Sequence, residues 1–352
     1  MRLNILTTIL KKQSRLINKL VRRSLYLIYY IKRLDYRQLH HYLKYSVGLT
    51  GRSGSHILLD LLLSVYRYNI SIMDYFYFRF FELEKEERRL WAGTGFMYEY
   101  QLIMNPTDFR GVLADKIQFL QNYKDFIKRR YVTFNELRTD ESLVDKIMTN
   151  SSGRIVLKNS FGQVGSEVEV ISCIDFSART LIDLMRQKKY NLIEEYIVQH
   201  KALMTLSPTG VNTIRIFTQI HNEHVHFLGA RLRISVNSRV DNMAAGNLAA
   251  PVDINSGMVN GPAVYSDITK SSSLIHPITG VEITGFVVPF WKEIIQLVEK
   301  AALHIPQNRS VGWDIAITDQ GPELIEGNHN WCKLLWQLPI RKGLKSELEK
   351  FL

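Results

Sequence analysis

The sequence predicts an α+β fold in which most strands pair antiparallel. From residue 154 onward β-prone segments dominate, in the order RIVLK, EVEVIS, NLIEEYIV, NTIRIFTQI and HVHFLGARLRI, and a hairpin pattern follows near the C-terminus. Helical patterns interrupt them at 178–188 and 289–303. Such runs favour antiparallel pairing, whereas a doubly wound parallel sheet needs strand and helix to alternate regularly. The chain also lacks the GxxxxGK loop of P-loop proteins.

Three regions differ in texture along the chain. Residues 1–100 form a basic region of mostly helical pattern, residues 101–200 are mixed, with helices predicted at 115–126 and 140–150, and residues 201–352 are rich in strands. A chain of 352 residues is long enough for two or three folding units. Its hydrophobic content of 46% and charged content of 22% are typical of a globular protein.

Cysteine usage and hydropathy indicate where the protein works. Cys173 and Cys332 lie far apart and form no metal-ligand pattern, so we expect a reducing compartment, the cytoplasm. No run in the sequence reaches the roughly 20 apolar residues of a spanning helix. Cations recur throughout the first residues, which is not the pattern of a cleavable signal peptide.

Most of the net charge of +11 lies at the start of the chain. Residues 1–50 contain eleven Lys and Arg residues and one acidic residue, Asp35, a net charge of +10. Apolar residues alternate with these cations in a helical rhythm, as in an amphipathic helix at an anionic membrane. Peripheral contact with the inner face of a membrane is therefore one interpretation. A helical extension packed on the rest of the protein is another, and nucleic acid is a physically possible partner that we do not expect.

Residues 311–330, VGWDIAITDQGPELIEGNHN, indicate a metal site on a β-hairpin. A loop centred on Gln320 places Asp314 directly opposite Glu326, and Asn328 shares their face because strand side chains alternate with period two. Carboxylates opposed at about 5 Å repel each other. A divalent cation between them would relieve this repulsion, and Mg2+ prefers oxygen ligands of this kind, shared with phosphates. A solvated hairpin face is the alternative.

Two further segments are compatible with nucleotide binding. The loop after RIVLK contains Gly162 and Gly165, and Lys158 precedes it, so backbone amides and an ammonium group could approach phosphates, although an ordinary hairpin has the same pattern. In LIEEYIVQ, Glu194 and Glu195 interrupt a β-prone run, and buried carboxylates are uncommon unless paired. A strand whose backbone binds an adenine edge would explain them. A solvent-facing strand edge would explain them equally well.

Arginines form a fourth group. Arg215 follows Asn212 closely, and Arg231 and Arg233 share one face of the next strand because of its period of two. Converging guanidinium groups suit the recognition of phosphates or carboxylates through bidentate contacts. Surface arginines balanced by glutamates are the alternative.

Taken in order, these segments resemble the ATP-grasp superfamily, and most closely its sugar-transfer-associated branch, which is found beside polysaccharide biosynthesis genes. The matching pieces are Lys116, VLKNSFGQVGSE, IEEYIVQH, VNTIRIFT, RVDN, VGWDIAIT and GPELIEGN, which span about residues 100–340. Each piece alone is unspecific, whereas the ordered set is specific. The resemblance implies two α+β subdomains that clasp ATP, preceded by an N-terminal helical extension.

The resemblance also implies a role for each matching residue. The phosphates, and the phosphoryl group in transfer, would be contacted by four cations: Lys116, Lys158, Arg215 and Arg231. Mg2+ would be held by three oxygen donors of the hairpin: Asp314, Glu326 and Asn328. The glycine loop and the residues around adenine and ribose would complete the nucleotide site: Gly162, Gly165, Glu194, Glu195, Tyr196, Ile197, Gln199, His200 and Asn212.

The chemistry implied by this resemblance joins an acid to a nucleophile. A carboxylate attacks the γ-phosphate of ATP and forms an acyl phosphate, which an amine or similar nucleophile then displaces. A sugar would carry the acid or the amine, for example when a uronic acid is joined to an amino acid. The protein would contribute positioning and charge stabilisation. Two alternatives stay open: a phosphotransferase of the same fold, and a non-catalytic protein that binds membranes or nucleic acid through its basic arm.

Overall fold

The chain folds into two compact units. The computed structural model describes residues 18–162, 168–238 and 241–352. The first unit contains the chain up to Gln101 together with Ser266–Ser271 and Lys333–Leu352. The second unit contains Leu102–Tyr265 and Ser272–Cys332. All the candidate site residues belong to the second unit, apart from Gly165, which lies outside the described residues.

Helices build the first unit. Their bounds are 18–32 (α1), Tyr36–Thr50 (α2), Gly54–Tyr68 (α3), Ile72–Tyr77 (α4), Lys85–Arg88 (α5), Thr94–Met104 (α6, which crosses the unit boundary), Lys333–Gln337 (α14) and Lys345–Glu349 (α15). N-cap side chains accept hydrogen bonds from first-turn N–H groups at Asp35, Ser53 and Ser71. None of the helices in the described ranges combines the length and apolar composition needed to cross a bilayer.

The second unit combines two sheets with helices. Its strands are Tyr131–Thr133 (β1), Arg154–Lys158 (β2), Val168–Ser172 (β3), Leu192–Glu195 (β4), Thr213–His221 (β5), His224–Ile234 (β6), Leu248–Val252 (β7), Ser310–Thr318 (β8) and Gly321–Asn328 (β9). Its helices are Thr107–Ala114 (α7), Lys116–Asn122 (α8), Phe134–Thr139 (α9), Ser142–Met148 (α10), Ala178–Lys188 (α11), Lys201–Leu206 (α12) and Trp291–His304 (α13).

The strand pairs of these two sheets are antiparallel, which confirms the pairing predicted from the sequence. The smaller sheet has the order β1-β4-β2-β3, and the larger sheet has the order β7-β6-β5-β8-β9. The strands β1 and β7 were not predicted. The sequence of β7 is LAAPV, and Ala and Pro have low strand propensity. Pro251 is tolerated because β7 lies at the edge of its sheet.

One face of the larger sheet is used for packing and the other carries charged residues. Helix α13 contributes Ile294, Val298 and Ala301, spaced by three or four residues, to the same core cluster as Ile214 of β5 and Ile315 of β8. Neighbouring residues in a strand point to opposite faces. The residues between these apolar positions therefore face the other side of the sheet, where the candidate site lies.

Two glycines of the first unit should respond oppositely to alanine substitution. A Cβ at Gly343 would lie 2.4 Å from the carbonyl carbon of Leu90, so backbone must move. Overpacking of this kind costs about 1–3 kcal/mol. Gly48 lies inside α2 with nothing within 4 Å of an added Cβ, so Gly48→Ala should gain about 1 kcal/mol of helix propensity.

Thermal unfolding followed by circular dichroism measures both effects. We expect Tm to fall for Gly343→Ala and to rise for Gly48→Ala. An unchanged or higher Tm for Gly343→Ala would contradict the close approach at Leu90.

Candidate functional site

The hairpin of β8 and β9 places Asp314 directly opposite Glu326, as the sequence predicted. The route to this pairing differs from the predicted one. Thr318 pairs with Gly321, so the loop has two residues and is not centred on Gln320. A bulge at Ile325, between the Asp314–Glu326 and Ile315–Leu324 pairs, then shifts the register by one residue and restores the predicted opposition.

Asn328 joins these two carboxylates. Its side-chain amide donates to Oε1 of Glu326 at 3.2 Å, and its backbone is paired with Gly312, two residues before Asp314 on the neighbouring strand. Two carboxylates and one amide oxygen are hard ligands of the type that Mg2+ binds. Among the described residues no cluster of three or more His, Cys, Asp and Glu side chains could hold a metal by itself. The three oxygen donors would suit a Mg2+ ion that takes further ligands from phosphate oxygens and water.

Asp314 is also held between two guanidinium groups. Arg215 forms a bidentate ion pair with its carboxylate, and Arg233 donates to Oδ2 at 2.7 Å. Burial raises the pKa of Asp314, but the charges of Arg215 and Arg233 outweigh this and lower the pKa below its usual value. The same pairing raises the pKa of Arg215 against the opposing effect of burial. These cations offset the repulsion between Asp314 and Glu326, so the opposed carboxylates do not by themselves require a metal.

The arginines share the face of the larger sheet that carries Asp314. Arg215 is paired with Arg231 across β5 and β6, and with Asp314 across β5 and β8. Arg233 also lies 3.3 Å from Asp241. Burial lowers the pKa of Arg231 to about 9. The alternative of surface arginines is wrong for Arg215 and Arg231, which are 5% and 3% exposed.

Lys116 of α8 lies between Lys158 of the smaller sheet and Glu326 of the hairpin. Lys116 begins α8, and its ammonium group donates to the carbonyl of Gly162 and, at 3.4 Å, to that of Ser160. Burial lowers the pKa of Lys116, the negative charge of Glu326 raises it, and the positive charge of Lys158 lowers it again. Lys116 therefore lies within electrostatic reach of both Lys158 and Glu326.

The glycine loop shows only part of the predicted arrangement. The N–H of Gly162 donates to the carbonyl of Asn159 at 3.0 Å, so this amide serves a turn in the structure. Gly165 lies outside the described residues. Contact of this loop with phosphates stays a prediction.

Glu194 is buried in an inner strand, and its carboxylate forms ion pairs. Because β4 lies between β1 and β2, the alternative of a strand edge is wrong. One oxygen of Glu194 accepts from Arg129 at 3.0 Å, and the other from Lys158. Burial raises the pKa of Glu194, but Arg129 and Lys158 outweigh burial and lower it to about 2. The carboxylate that was predicted to contact adenine is thus occupied by protein cations.

Sequence reasoning missed Arg129, which connects the two sheets. Besides Glu194 in the smaller sheet, its guanidinium group donates to Glu323 in the larger sheet at 2.9 Å. All three side chains are at least 95% buried. The available signal was the dibasic pair Arg129-Arg130 immediately before a short β-prone segment, together with two glutamates at apolar positions of β4 and β9.

The chain after β4 leaves the sheet, three residues before the predicted end of this strand. Glu195 stays bound to Arg130, whose Nε donates to it at 2.6 Å. The N–H of Tyr196 donates to the carbonyl of Arg154 at 3.3 Å. For Ile197 the structure shows no backbone hydrogen bond to another described residue. Its peptide groups could therefore pair with a ligand edge.

Gln199 and Asn212 bind each other, in a buried network that a ribose contact would have to disrupt. Oε1 of Gln199 accepts from both nitrogens of Asn212, at 3.0 and 3.1 Å, and its Nε2 donates to Gly210 at 2.8 Å. His200 caps α12 by accepting from the N–H of Ala202 at 3.1 Å. Gln199, His200 and Asn212, which were predicted to bind the cofactor, therefore bind other parts of the chain around β5 and α12 in the structure.

The fold and this site define an ATP-grasp protein. Residues 96–352 match the sugar-transfer associated ATP-grasp family, and because this is most of the chain, the protein belongs to that family. The family and the α+β ATP-grasp fold predicted from the sequence are thereby confirmed. No curated protein sequence matches the chain.

Solved structures give more distant matches. The ATP-grasp ligase PsnB in complex with the precursor peptide PsnA2 and AMPPNP is 13% identical, with a TM-score of 0.42 over 70% of this chain and 61% of that chain. D-alanyl-alanine synthetase A from Vibrio cholerae is 12% identical, with a TM-score of 0.40 over 68% of this chain and 60% of that chain. Biotin carboxylase from Campylobacter jejuni is 11% identical, with a TM-score of 0.44 over 68% and 46%. The chain thus spans about three fifths or less of these three proteins.

The role of Arg129 can be tested against its neighbour Arg130. Arg129→Met removes the buried partner of Glu194 and Glu323, and breaking a buried pair on one side costs about 3–5 kcal/mol. Arg130→Met removes a half-exposed partner of Glu195, which costs at most about 1 kcal/mol. Denaturant unfolding of both variants measures the difference. Equal losses of stability would contradict a connecting role for Arg129.

Proposed function

We propose that the protein is an ATP- and Mg2+-dependent ligase that joins a carboxylate to an amine or similar nucleophile. The observation that carries the proposal is the position of Lys116 near both Lys158 and Glu326, in a chain of the ATP-grasp family. Lys116 thus connects a second cation for phosphates, from β2, with an oxygen donor for a divalent ion, from β9. Phosphoryl transfer needs this combination, because the protein contributes mainly positioning and charge stabilisation.

Within this proposal, the two sheets supply different contacts. Lys116 and Lys158 bind phosphates of ATP, and the backbone at Ile197 pairs with the adenine edge. Asp314, Glu326 and Asn328 would hold Mg2+, which when bound would neutralise charge on the phosphate oxygens. Lys158 can turn from Glu194 towards a phosphate, because Arg129 continues to neutralise that carboxylate.

Arg215 and Arg231 serve the phosphoryl group in transfer. Arg231 carries its charge in a buried position, where its pKa is lowered to about 9, so a phosphate next to it is strongly favoured over water. Arg215 is already paired with Asp314, and it orients that carboxylate as well as adding positive charge to the site. A preorganised cation of this kind acts without reorganisation when charge develops.

The reaction proposed for this site proceeds in two steps. A carboxylate oxygen of the substrate bonds to the γ-phosphorus of ATP, and ADP leaves. The nitrogen of the amine then bonds to the carbonyl carbon, inorganic phosphate leaves, and the amine loses a proton.

The family's association with sugar transfer supports a sugar-linked acid or amine, in the modification of a cell-surface polysaccharide or glycoconjugate. Peripheral contact with a membrane through the basic residues 1–50 is part of the proposal; residues 1–17 lie outside the described ranges.

Magnesium-dependent nucleotide binding gives the first test. A ligand at a hundred times its dissociation constant stabilises the folded state by about 2.7 kcal/mol, so ATP with Mg2+ should raise Tm. Glu326→Gln should lose most of the Mg2+-dependent part of this shift. Glu293→Gln, at an exposed position of α13, is the matched control and should keep it. A shift that is absent in the wild type, or equal in both variants, would sink the assignment of Glu326 to the metal.

Product analysis gives the second test. Purified protein is incubated with ATP, Mg2+ and pools of uronic acids, nucleotide sugars and amino acids, and the products are identified by mass spectrometry. The proposal expects ADP, inorganic phosphate and a product whose mass is that of acid plus amine less one water. Accumulation of a phosphorylated substrate without phosphate release would identify a phosphotransferase instead.

A further inference from the structure

Helix α3 exposes leucines on the side opposite to its buried face. Ile57, Leu61 and Val65 are at most 2% exposed and face the core of the first unit. The outward positions are occupied by four more leucines, which are 38%, 60%, 44% and 61% exposed: Leu58, Leu59, Leu62 and Leu63. Exposed apolar residues that are neighbours on one helix form a patch of the kind that marks a contact surface. Nothing in the described part of the chain covers these four.

Helix α1, which contacts the end of α3, also exposes apolar side chains. Arg23 of α1 donates to the backbone carbonyl of Tyr66 in α3, and the hydroxyl of Ser24 lies 3.2 Å from that of Tyr66. The two helices are therefore in contact. Six apolar side chains of α1 are between 43% and 60% exposed: Leu20, Val21, Leu25, Ile28, Tyr29 and Ile31. We call these ten exposed side chains of α1 and α3 the leucine surface.

Cations gather where α1 meets the end of α3. Arg67 follows Leu59 and Leu63 at helical spacing and is exposed. Lys19, Arg22 and Arg23 lie on the neighbouring part of α1. The pKa of Lys19 is lowered, first by the positive charge of Arg23 and then by burial. Glu99 is paired with Arg22 at 3.2 Å and balances only one of these charges.

We propose that the leucine surface docks the protein on an anionic phospholipid bilayer. Leucines would enter the boundary between headgroups and acyl chains, while the cations beside them contact lipid phosphates, as in helices that lie in the membrane interface. Charge complementarity selects this occupant, because the apolar stripe ends in cations and residues 1–50 carry a net charge of +10. The inference rests on the membrane contact proposed above and deepens it, because it adds the insertion of leucines to the attraction of the basic residues; it does not depend on the proposed ligase activity.

The surface differs from the basic arm in the residues that it requires. Leu59, Leu62 and Leu63 lie outside residues 1–50, so an electrostatic tether alone would not need them. The bilayer proposal requires both apolar insertion and charge. Leucine substitutions in the full-length chain therefore separate docking through this surface from simple attraction of the arm.

The experiment compares two double variants by co-sedimentation with vesicles. One carries Leu59→Gln and Leu63→Gln, which are 60% and 61% exposed, and the control carries Leu274→Gln and Val287→Gln, which are 61% and 59% exposed in the second unit. Vesicles are phosphatidylcholine alone or mixed with phosphatidylglycerol, at low and high salt. Thermal unfolding checks that both variants fold, and Leu58→Gln with Leu62→Gln replaces the first pair if it does not.

The proposal expects the wild type and the control to bind the mixed vesicles at low salt. The affinity of the leucine variant for these vesicles should be at least about tenfold lower. Binding should also fall at high salt, because surface charges are screened. Unchanged binding of the leucine variant would leave attraction of the arm as the explanation and overturn the proposal. Absence of wild-type protein from the pellet would overturn it too.

Light scattering identifies the rival occupant. A wild-type dimer that the leucine substitutions convert to a monomer would assign the surface to a second copy of the chain and overturn the bilayer proposal. A monomer in both cases supports it, provided that the vesicle result is as expected.

Discussion

The buried guanidinium group of Arg129 is the contact on which the arrangement of the second unit depends. It donates to Glu194 in the smaller sheet and to Glu323 in the larger one, and also to the carbonyls of Leu324 and Ile325 at 2.9 and 3.4 Å. A buried charge is tolerated only when charges and hydrogen-bond donors are matched. Because the two carboxylates come from different sheets, this matching is achieved in one relative placement of the sheets.

The consequences of this placement reach the candidate site by two routes. Glu194, neutralised on one side by Arg129, can also hold Lys158. Ile325, whose carbonyl accepts from Arg129, is the bulged residue that moves Glu326 opposite Asp314. The cation side and the carboxylate side of the site are therefore set by the same buried ion. Their meeting is what makes ATP-dependent ligation the best-supported proposal for this member of the ATP-grasp family.

A second balance of charge governs the larger sheet. Asp314 is neutralised by Arg215 and Arg233, and Arg233 also reaches Asp241. Side chains alternate along β5 and β8, so Arg215 and Asp314 lie on the face of the sheet away from α13. The apolar residues of the same strands pack on the other face and stabilise the sheet that carries these charged residues. The charged groups of this sheet are thus held in place by strands and ion pairs, which suits chemistry that relies on preorganised electrostatics.

The sequence by itself determined the elements and the class of protein. Period-two patterns predicted most strands, and the ordered motifs predicted the family. The hairpin pattern predicted the opposition of Asp314 and Glu326, but a bulge at Ile325 produces it and not the expected loop centred on Gln320. Tertiary structure decided the partners. Arg129 lies 65 residues from Glu194 and 194 residues from Glu323, and no local pattern encodes such pairings. Gln199 and Asn212 became part of an internal network for the same reason: a polar side chain near a site binds ligand or protein according to what the fold places beside it.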